Sequence, residues 1–269
     1  MLTLGLVTDI HFGPKAYHDG KLRKLSHLAP ELTEQLARRM RHEIRPDLLI
    51  NLGDLIEDEG PQQDLQRYQH GVSLLGRAGA ELVNVAGNHD LINLQPSQLR
   101  QAWAISGPGP LYHSFERGGV HFCVLQTHER KDLDVTIDEE QLLWLSADLA
   151  ATALPVIVLM HHSAAEQDLR GNRWFEGACH ICLVRERADL RAVLEQHGRV
   201  VAVFNGHLHW NHLDVINAIP YITLQSLTEN IAEDEPAAPA TAMAVAHICE
   251  SRLAITVDGV EPIRYQLEL

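Results

Sequence analysis

LTLGLVTDIH, residues 2–11, is a short run of apolar and β-favouring side chains that stops on an aspartate and a histidine. The same event recurs along the chain. Asp47-Leu48-Leu49-Ile50-Asn51-Leu52 ends on Gly53-Asp54, and residues 81–86 end on Gly87-Asn88-His89-Asp90. PVIVLM (155–160) delivers His161-His162, and VVAVF (200–204) delivers Asn205-Gly206-His207-Leu208-His209. Amphipathic stretches lie between these runs. Leu32, Leu36, Met40 and Ile44 fall four apart, and Leu65, Tyr68, Val72 and Leu75 fall three and four apart. Leu142, Leu145 and Leu149, then Leu190, Val193 and Leu194, mark two further helices. The alternation predicts an α/β chain folded as a layered sandwich. Residues 112–116 and 120–126 flank Gly118-Gly119 and predict a hairpin, so antiparallel pairing enters in mid-chain. From Leu213 onward the pattern is mostly β, with turns at Asn217-Ala218 and Asp258-Gly259. EDEPAAP (233–239) has no periodicity and reads as an exposed loop. No repeat or linker divides the chain, so one domain over 1–269 is expected, with a core over 1–226 and a β-rich part over 227–269.

Charge and composition bound the function. The 269 residues include 36 acidic and 22 basic side chains, for a formal net charge of −14. That balance disfavours a protein that coats nucleic acid or an anionic membrane. No apolar run approaches the roughly 20 residues needed to span a bilayer. The start, MLTLGLVTDI, has neither a basic segment nor a small-residue cleavage site and reads as a first strand, not a signal peptide. Cys123, Cys179, Cys182 and Cys249, without a secretory signal, suggest reduced thiols and a cytoplasmic protein. The 17 histidines are the unusual number, because imidazole binds metals and handles protons near neutral pH.

In α/β sheets ligands bind beyond the carboxyl ends of the strands, so the five strand-end segments should meet on one rim. They supply seven donors: Asp9, His11, Asp54, Asn88, His161, His207 and His209. One ion takes about four to six ligands, so seven suit two ions sharing a bridge. Carboxylate, amide and imidazole without thiolate favour manganese or iron, or zinc, over calcium. Two divalent ions against two carboxylates leave about +2, lowered to roughly +1 by a bound hydroxide. A small cationic pit in an acidic protein suits a compact anion such as phosphate.

Asp9-x-His11, Gly53-Asp54, Gly87-Asn88-His89-Asp90, His161 and Gly206-His207-x-His209 resemble, in order, the five signature motifs of the calcineurin-like metallophosphoesterase superfamily. The resemblance runs from residue 2 to about residue 226 and implies a four-layer α/β/β/α sandwich with mixed sheets. It implies one metal held by Asp9, His11 and His209, a second held by Asn88, His161 and His207, and Asp54 bridging both. His162 is left as a neighbour of the ligand His161. It further implies a metal-bridging hydroxide attacking phosphorus in line, with His89 contacting the phosphate and the leaving oxygen and Asp90 orienting His89. The short layout looks like the branch of bacterial cyclic-nucleotide phosphodiesterases and manganese-dependent ADP-ribose/CDP-alcohol diphosphatases. The function so implied is a phosphodiesterase for small nucleotide-like esters. The alternatives are a broad phosphomonoesterase of alkaline-phosphatase type and a non-catalytic scaffold of the same fold. The charge disfavours a nuclease, so the partner is a small phosphate ester, with neither nucleic-acid polymer nor membrane. The family includes dimers, and the β-rich C-terminal part is a candidate interface.

Specificity should come from loops around the rim, above all residues 164–184. Arg170, Arg173 and Trp174 in that loop, with His128 and His212, are candidate substrate contacts by their phosphate-binding and stacking chemistry. Cys179-His180-Ile181-Cys182 lacks a second cysteine pair and reads as free thiols. His121, His197 and His247 read as surface or satisfied core histidines.

Overall fold

In the strand Leu2–Val7, Leu4 and Leu6 turn to one face and Val7 to the other, and both faces are buried. A strand covered on two sides needs apolar residues throughout, which is why this segment does not alternate with polar residues. The computed structural model describes residues 1–131, 133–232, 236–249 and 252–268. Leu2–Val7 lies inside a six-stranded sheet, beside the parallel strands Leu48–Asn51 and Glu81–Asn84. On its other side run the antiparallel strands Met243–Cys249, Arg252–Asp258 and Ile263–Glu268. A second six-stranded sheet is ordered His212–Ile216, Ile219–Thr223, Val200–Asn205, Val156–Leu159, Val120–Val124, His113–Arg117. Its inner strands are parallel and its two edge strands antiparallel, so both sheets are mixed.

The sheets face each other across a core that includes Leu6, Ile50, Phe122, Ile157, Phe204 and Ile255. The helices Ala29–Arg39 and Pro61–Gly76 cover the outer face of the first sheet with Leu36, Tyr68 and Leu75. Glu139–Ala151 and Arg187–His197 cover the second with Leu145, Leu149, Leu190 and Leu194. The result is the four-layer α/β/β/α sandwich. The strands of the C-terminal part complete the first sheet and contribute Ala244, Ala246 and Leu253 to the central core. Of the expected loop at 233–239, residues 233–235 lie outside the described residues. Residues 236–239 form no regular element beyond one bridge from Asn230 to Pro239.

The periodicity misses several short elements. The first helix runs on as a π-type segment, Met40–Ile44, ended by Arg45 in the left-handed region (φ 52°). The seven-residue helix Pro96–Ala102 is too short to show a period and is set by its cap: Pro96 opens it, and Gln95 and Gln98 satisfy each other's backbone. The ribbon Ala16–His18/Lys21–Lys24 turns at Asp19-Gly20, both at positive φ. That dipeptide is a strong hairpin signal in the sequence. A second small ribbon pairs His128–Arg130 with Asp134–Thr136.

Phe204 is fully buried between the sheets, so Phe204→Ala should cost about 3–5 kcal/mol of stability. Denaturant unfolding checks this, and a loss below about 1 kcal/mol would be incompatible with a packed inter-sheet core.

Candidate metal centre

The five strand-end loops are stitched to one another through their backbones. Asp9 N donates to Gly53 O (3.0 Å), His11 N to Asp54 O (3.0 Å) and Gly206 N to His161 O (3.0 Å). The turns are so tight that Asp9, His11, Asp54, His207 and His209 all have φ between 49° and 66°. This is the left-handed region, which aspartate and histidine enter more readily than β-branched residues do. Close approach also demands the motif glycines. A Cβ on Gly87 would meet Asp54 N at 2.2 Å, and one on Gly206 would meet Thr8 Oγ1 at 1.9 Å.

Asp9 and Asp54 are 0% and 2% exposed. Each has one carboxylate oxygen tied by the protein and one turned inward. Asp9 Oδ2 accepts from Thr8 Oγ1 (2.6 Å) and His207 N (2.9 Å), whereas Asp9 Oδ1 is buried with no hydrogen-bond donor. That second oxygen lies 3.2 Å from His209 Nε2 and 3.8 Å from His11 Nε2. Asp54 Oδ1 accepts from His89 N (2.9 Å). Asp54 Oδ2 lies 3.3 Å from His161 Nε2 and 3.9 Å from His11 Nε2, between the two groups of donors. Asn88 Oδ1 completes the second group, 3.1 Å from His161 Nε2 and 3.2 Å from His207 Nδ1.

The outward nitrogen of each of these four rings has an acceptor. His11 Nδ1 faces Glu57 Oε2 (3.0 Å) and His209 Nδ1 faces Glu229 Oε2 (2.7 Å). His161 Nδ1 donates to Leu52 O (2.9 Å) and His207 Nε2 to Ile181 O (3.2 Å). A neutral imidazole has one N–H, so a proton spent outward leaves a bare lone pair facing inward. His11 Nε2 and His209 Nε2 then meet at 3.3 Å as two acceptors, and Asn88 Oδ1 faces two more. Cations satisfy that set. Asp9, His11 and His209 with Asp54 fit one ion, and Asn88, His161 and His207 with the same Asp54 fit another.

The charges agree with this. Burial opposes a charge on Asp9, yet the His209 and His161 imidazoles hold its carboxyl well below the usual range. Burial, with the Lys24 ammonium, lowers His11 to about 3, so it stays neutral. His161 holds a proton up to about 10 despite burial because Asp54 and Asp9 attract it. A proton there meets the same need for positive charge that an ion meets.

His89 stands at the edge of the donor set, its ring 4.9 Å from that of His11 in edge-on contact. Its Nδ1 pairs with Asp58, not with Asp90. This corrects the sequence assignment of Asp90. Asp90 is fully buried, and its carboxylate accepts the backbone N–H of Asp54 (3.0 Å), Leu55 (2.9 Å), Ile56 (3.3 Å) and Gly87 (2.9 Å). It therefore clamps the Asp54 and Gly87 loops together, and burial beside Asp54 pushes its carboxyl up to about 7. Glu57, Asp58 and Glu229 escape sequence reasoning, the first two because Glu57-Asp58-Glu59 looks like a solvated acidic run. His162 packs against His207 at 4.2 Å between ring centroids, and its Nδ1 meets Thr127 Oγ1 at 2.7 Å.

Beside the centre opens a cavity of about 450 Å³ whose lining includes Trp174, His209, Trp210 and Glu229. Trp174 donates from Nε1 to Glu229. Arg173 lines this cavity, but its guanidinium is occupied by the carbonyls of Asn230 (2.6 Å) and Ile231 (3.2 Å). His212 stacks on Trp210, with centroids 5.1 Å apart. Arg170 and His128 do not line this cavity: Arg170 is exposed and paired with Asp168, and His128 sits on the second ribbon, 3.3 Å from Asp138. A larger cavity, about 820 Å³, lies at the other end of the strands against Leu2, Val120 and Val200, away from all seven donors.

Residues 2–211 match the calcineurin-like phosphoesterase family, and the chain belongs to that family. It is similar to a probable cyclic nucleotide phosphodiesterase of Synechococcus sp., 26% identical over 171 residues that cover 61% of this chain and 58% of that protein. It is also similar to a cAMP/cGMP dual specificity phosphodiesterase of Mycobacterium tuberculosis, 30% identical over 194 residues covering 71% of this chain and 56% of that protein. The matches thus span little more than half the length of these curated relatives. Among solved structures, a dimetal phosphatase from Danio rerio shares the fold with a TM-score of 0.79 at 18% identity, covering 98% of each chain.

Glu229→Gln, which weakens the acceptor behind His209, should loosen metal binding about 10- to 100-fold while the protein stays folded. Asp54→Asn should lose metal from both positions. Metal content after dialysis against chelator checks both, and an Asp54→Asn protein that retained two equivalents would show that Asp54, though placed between the two donor groups, holds neither ion.

Proposed function

We propose that the chain is a binuclear metal phosphoester hydrolase that prefers diesters of small nucleotide-like molecules. The observation that carries this reading is the set of inward-facing acceptors around Asp54 Oδ2, with His89 at its edge. Bound there, two ions supply charge neutralisation for the phosphoryl oxygens and acidify a water. The chain's own residues do the rest. Asp54 fixes the spacing of the two donor groups. Glu57 and Glu229 hold His11 and His209 in the tautomer that keeps Nε2 unprotonated toward the centre. Asp58 binds His89 Nδ1, which leaves Nε2, 3.4 Å from Lys24 Nζ, as the nitrogen that would give a proton to the departing ester oxygen. Despite burial, Asp54 and Asp58 raise the pKa of His89 and so favour the form that can donate.

The aromatic walls at Trp174 and Trp210 are compatible with a planar ring on the ester, and the cyclic-nucleotide names of the curated relatives support the same substrate class. The oxygen and nitrogen donors suit manganese or iron and accommodate zinc. The four cysteines are free, which supports a reducing compartment such as the cytoplasm. Among the described residues no helix is long and apolar enough to cross a membrane.

The manganese-loaded protein should hydrolyse bis-(p-nitrophenyl) phosphate faster than p-nitrophenyl phosphate. A strong preference for the monoester would replace the diester reading with a phosphomonoesterase, and bound metal without turnover would leave a scaffold. His89→Ala should lower kcat about 10²- to 10⁴-fold with metal content unchanged. Asp58→Asn should reproduce part of that loss and Asp90→Asn should instead reduce stability, which kinetics and thermal unfolding separate.

A further inference from the structure

In the strand Val120–Val124 every second side chain, Val120, Phe122 and Val124, enters the core between the sheets. Alternation turns His121 and Cys123 to the opposite face, which the helix Glu139–Ala151 covers with Leu145 and Leu149. An apolar pair would serve that packing. Instead, Asp148 of the helix meets His121 Nε2 (2.7 Å) and Cys123 Sγ (3.5 Å) through Oδ2, and Ser114 Oγ (2.6 Å) through Oδ1. Ser114 comes from the edge strand His113–Arg117, directly opposite Cys123. His121 is 6% exposed and Cys123 0%. One ligand atom from each of His121, Cys123 and Asp148 lies within 4.8 Å of the other two. This group is separate from the centre around Asp54. His121 is level with Val156 on the neighbouring strand, and His161 follows that residue by about 16 Å along the chain.

Hydrogen bonds alone leave the group incomplete. A neutral imidazole carries one N–H. Placed on Nε2 and given to Asp148, it leaves Nδ1 as a buried lone pair that meets no donor. The carboxylate on that side, Glu116 Oε1 at 3.9 Å, is another acceptor. Placed on Nδ1, toward Glu116, it leaves Nε2 and Asp148 Oδ2 as two acceptors 2.7 Å apart, which need a cation between them. Charge leads to the same place. Among the described residues Asp148 pairs with no lysine or arginine. Burial and the Asp148 carboxylate push the Cys123 thiol up, so it keeps its proton until a metal displaces it. A divalent ion with one thiolate, one carboxylate and a neutral imidazole is electrically neutral, whereas an imidazolium would balance Asp148 but leave Cys123 without a task. Thiolate selects zinc over manganese. Two ligands of a tetrahedral zinc stand roughly 3.3–3.6 Å apart. Sγ and Oδ2 already have that spacing. Nε2 and Oδ2 would part by about 0.6 Å, which a turn of the Asp148 side chain, 19% exposed, allows.

We propose that His121 Nε2, Cys123 Sγ and Asp148 Oδ2 form a zinc site, with water as fourth ligand on the solvent side, that ties the helix Glu139–Ala151 to the edge of the second sheet. Ser114 Oγ orients the carboxylate through Oδ1, and Glu116 lies on the side of the His121 Nδ1 proton. Binding releases one proton, that of the Cys123 thiol; the imidazole proton only changes nitrogen. The site does not depend on the hydrolase reading, because it shares no residue with the centre around Asp54.

Cobalt(II) is the probe. It enters zinc sites, and a thiolate ligand gives it a charge-transfer band in the near ultraviolet that oxygen and nitrogen ligands do not. The full chain, kept reduced and saturated with manganese, should develop this band on titration with cobalt, and added zinc should abolish it. Cys123→Ser and His121→Ala should remove the band. Asp54→Asn, which disrupts the other centre, should keep it, as should the double variant Cys179→Ser/Cys182→Ser. No band in the wild type, a band that survives Cys123→Ser, or one lost in Asp54→Asn would overturn the proposal and leave an imidazolium–carboxylate pair beside an idle thiol. Should the buried variants fail to fold, Asp148→Ala, altered at the half-buried end of the group, decides by the same readout: loss of the band at stoichiometric cobalt supports the site, and an undiminished band refutes it.

Discussion

Two carboxylates taken out of water, those of Asp9 and Asp54, are the constraint on which the rest of the site depends. A buried carboxylate is unfavourable by several kcal/mol unless positive charge and donors surround it. The fold meets this outward in layers of alternating character. Imidazoles surround the carboxylates, Glu57 and Glu229 lie behind two of those rings, and cations come next. Lys24 pairs with Glu57, and the Arg23 guanidinium sits over Trp174 and Phe175 at 5.2 and 4.8 Å on the side of Glu229. Removing any one layer would leave the next with an unmatched charge. The tautomers that turn lone pairs inward follow from this order.

Geometry limits how such an arrangement can be built. Five of the seven donors occupy the left-handed region, an unusual concentration for residues other than glycine. Each turn folds back sharply after its strand so that the side chain, not the continuing backbone, points over the sheet. The cost is carried by the rigid strands behind them and by Asp90, whose carboxylate joins two of the loops through backbone N–H groups. Asp90 thus has a place the motif alone does not convey: its carboxyl ties together the loops that carry Asp54 and His89.

Much of this is legible in the sequence because the donors follow apolar runs in a fixed order. Asp9, His11, Asp54, Asn88, His161, His207 and His209 all lie just after segments that had to be strands. The supporting residues are less visible. Glu57 and Asp58 sit in an acidic run, Glu229 lies in irregular chain, and Lys24 belongs to Lys21-Leu22-Arg23-Lys24, which has the look of a solvated face. Nothing local marks them as parts of the site, because their partners there lie 20 to 65 residues away. The Asp9-x-His11 spacing carries information about chemistry; the second layer is set only when the tertiary fold closes. The same limit explains Arg170 and His128, whose side-chain types suit phosphate but whose neighbours Asp168 and Asp138 claim them first.

The antiparallel pairing of Leu2–Val7 with Met243–Cys249 has a consequence for the order of folding events. The strand that leads into Asp9 and His11 takes one of its two neighbours from residues 243–249. Glu229, which meets His209 Nδ1, leads into that same part of the chain. Contacts separated by most of the chain length close slowly. The support behind His209 and one flank of the strand that leads into Asp9 are therefore completed only when these distant segments pair, so the donor set takes its final form through the slowest class of contact in the fold.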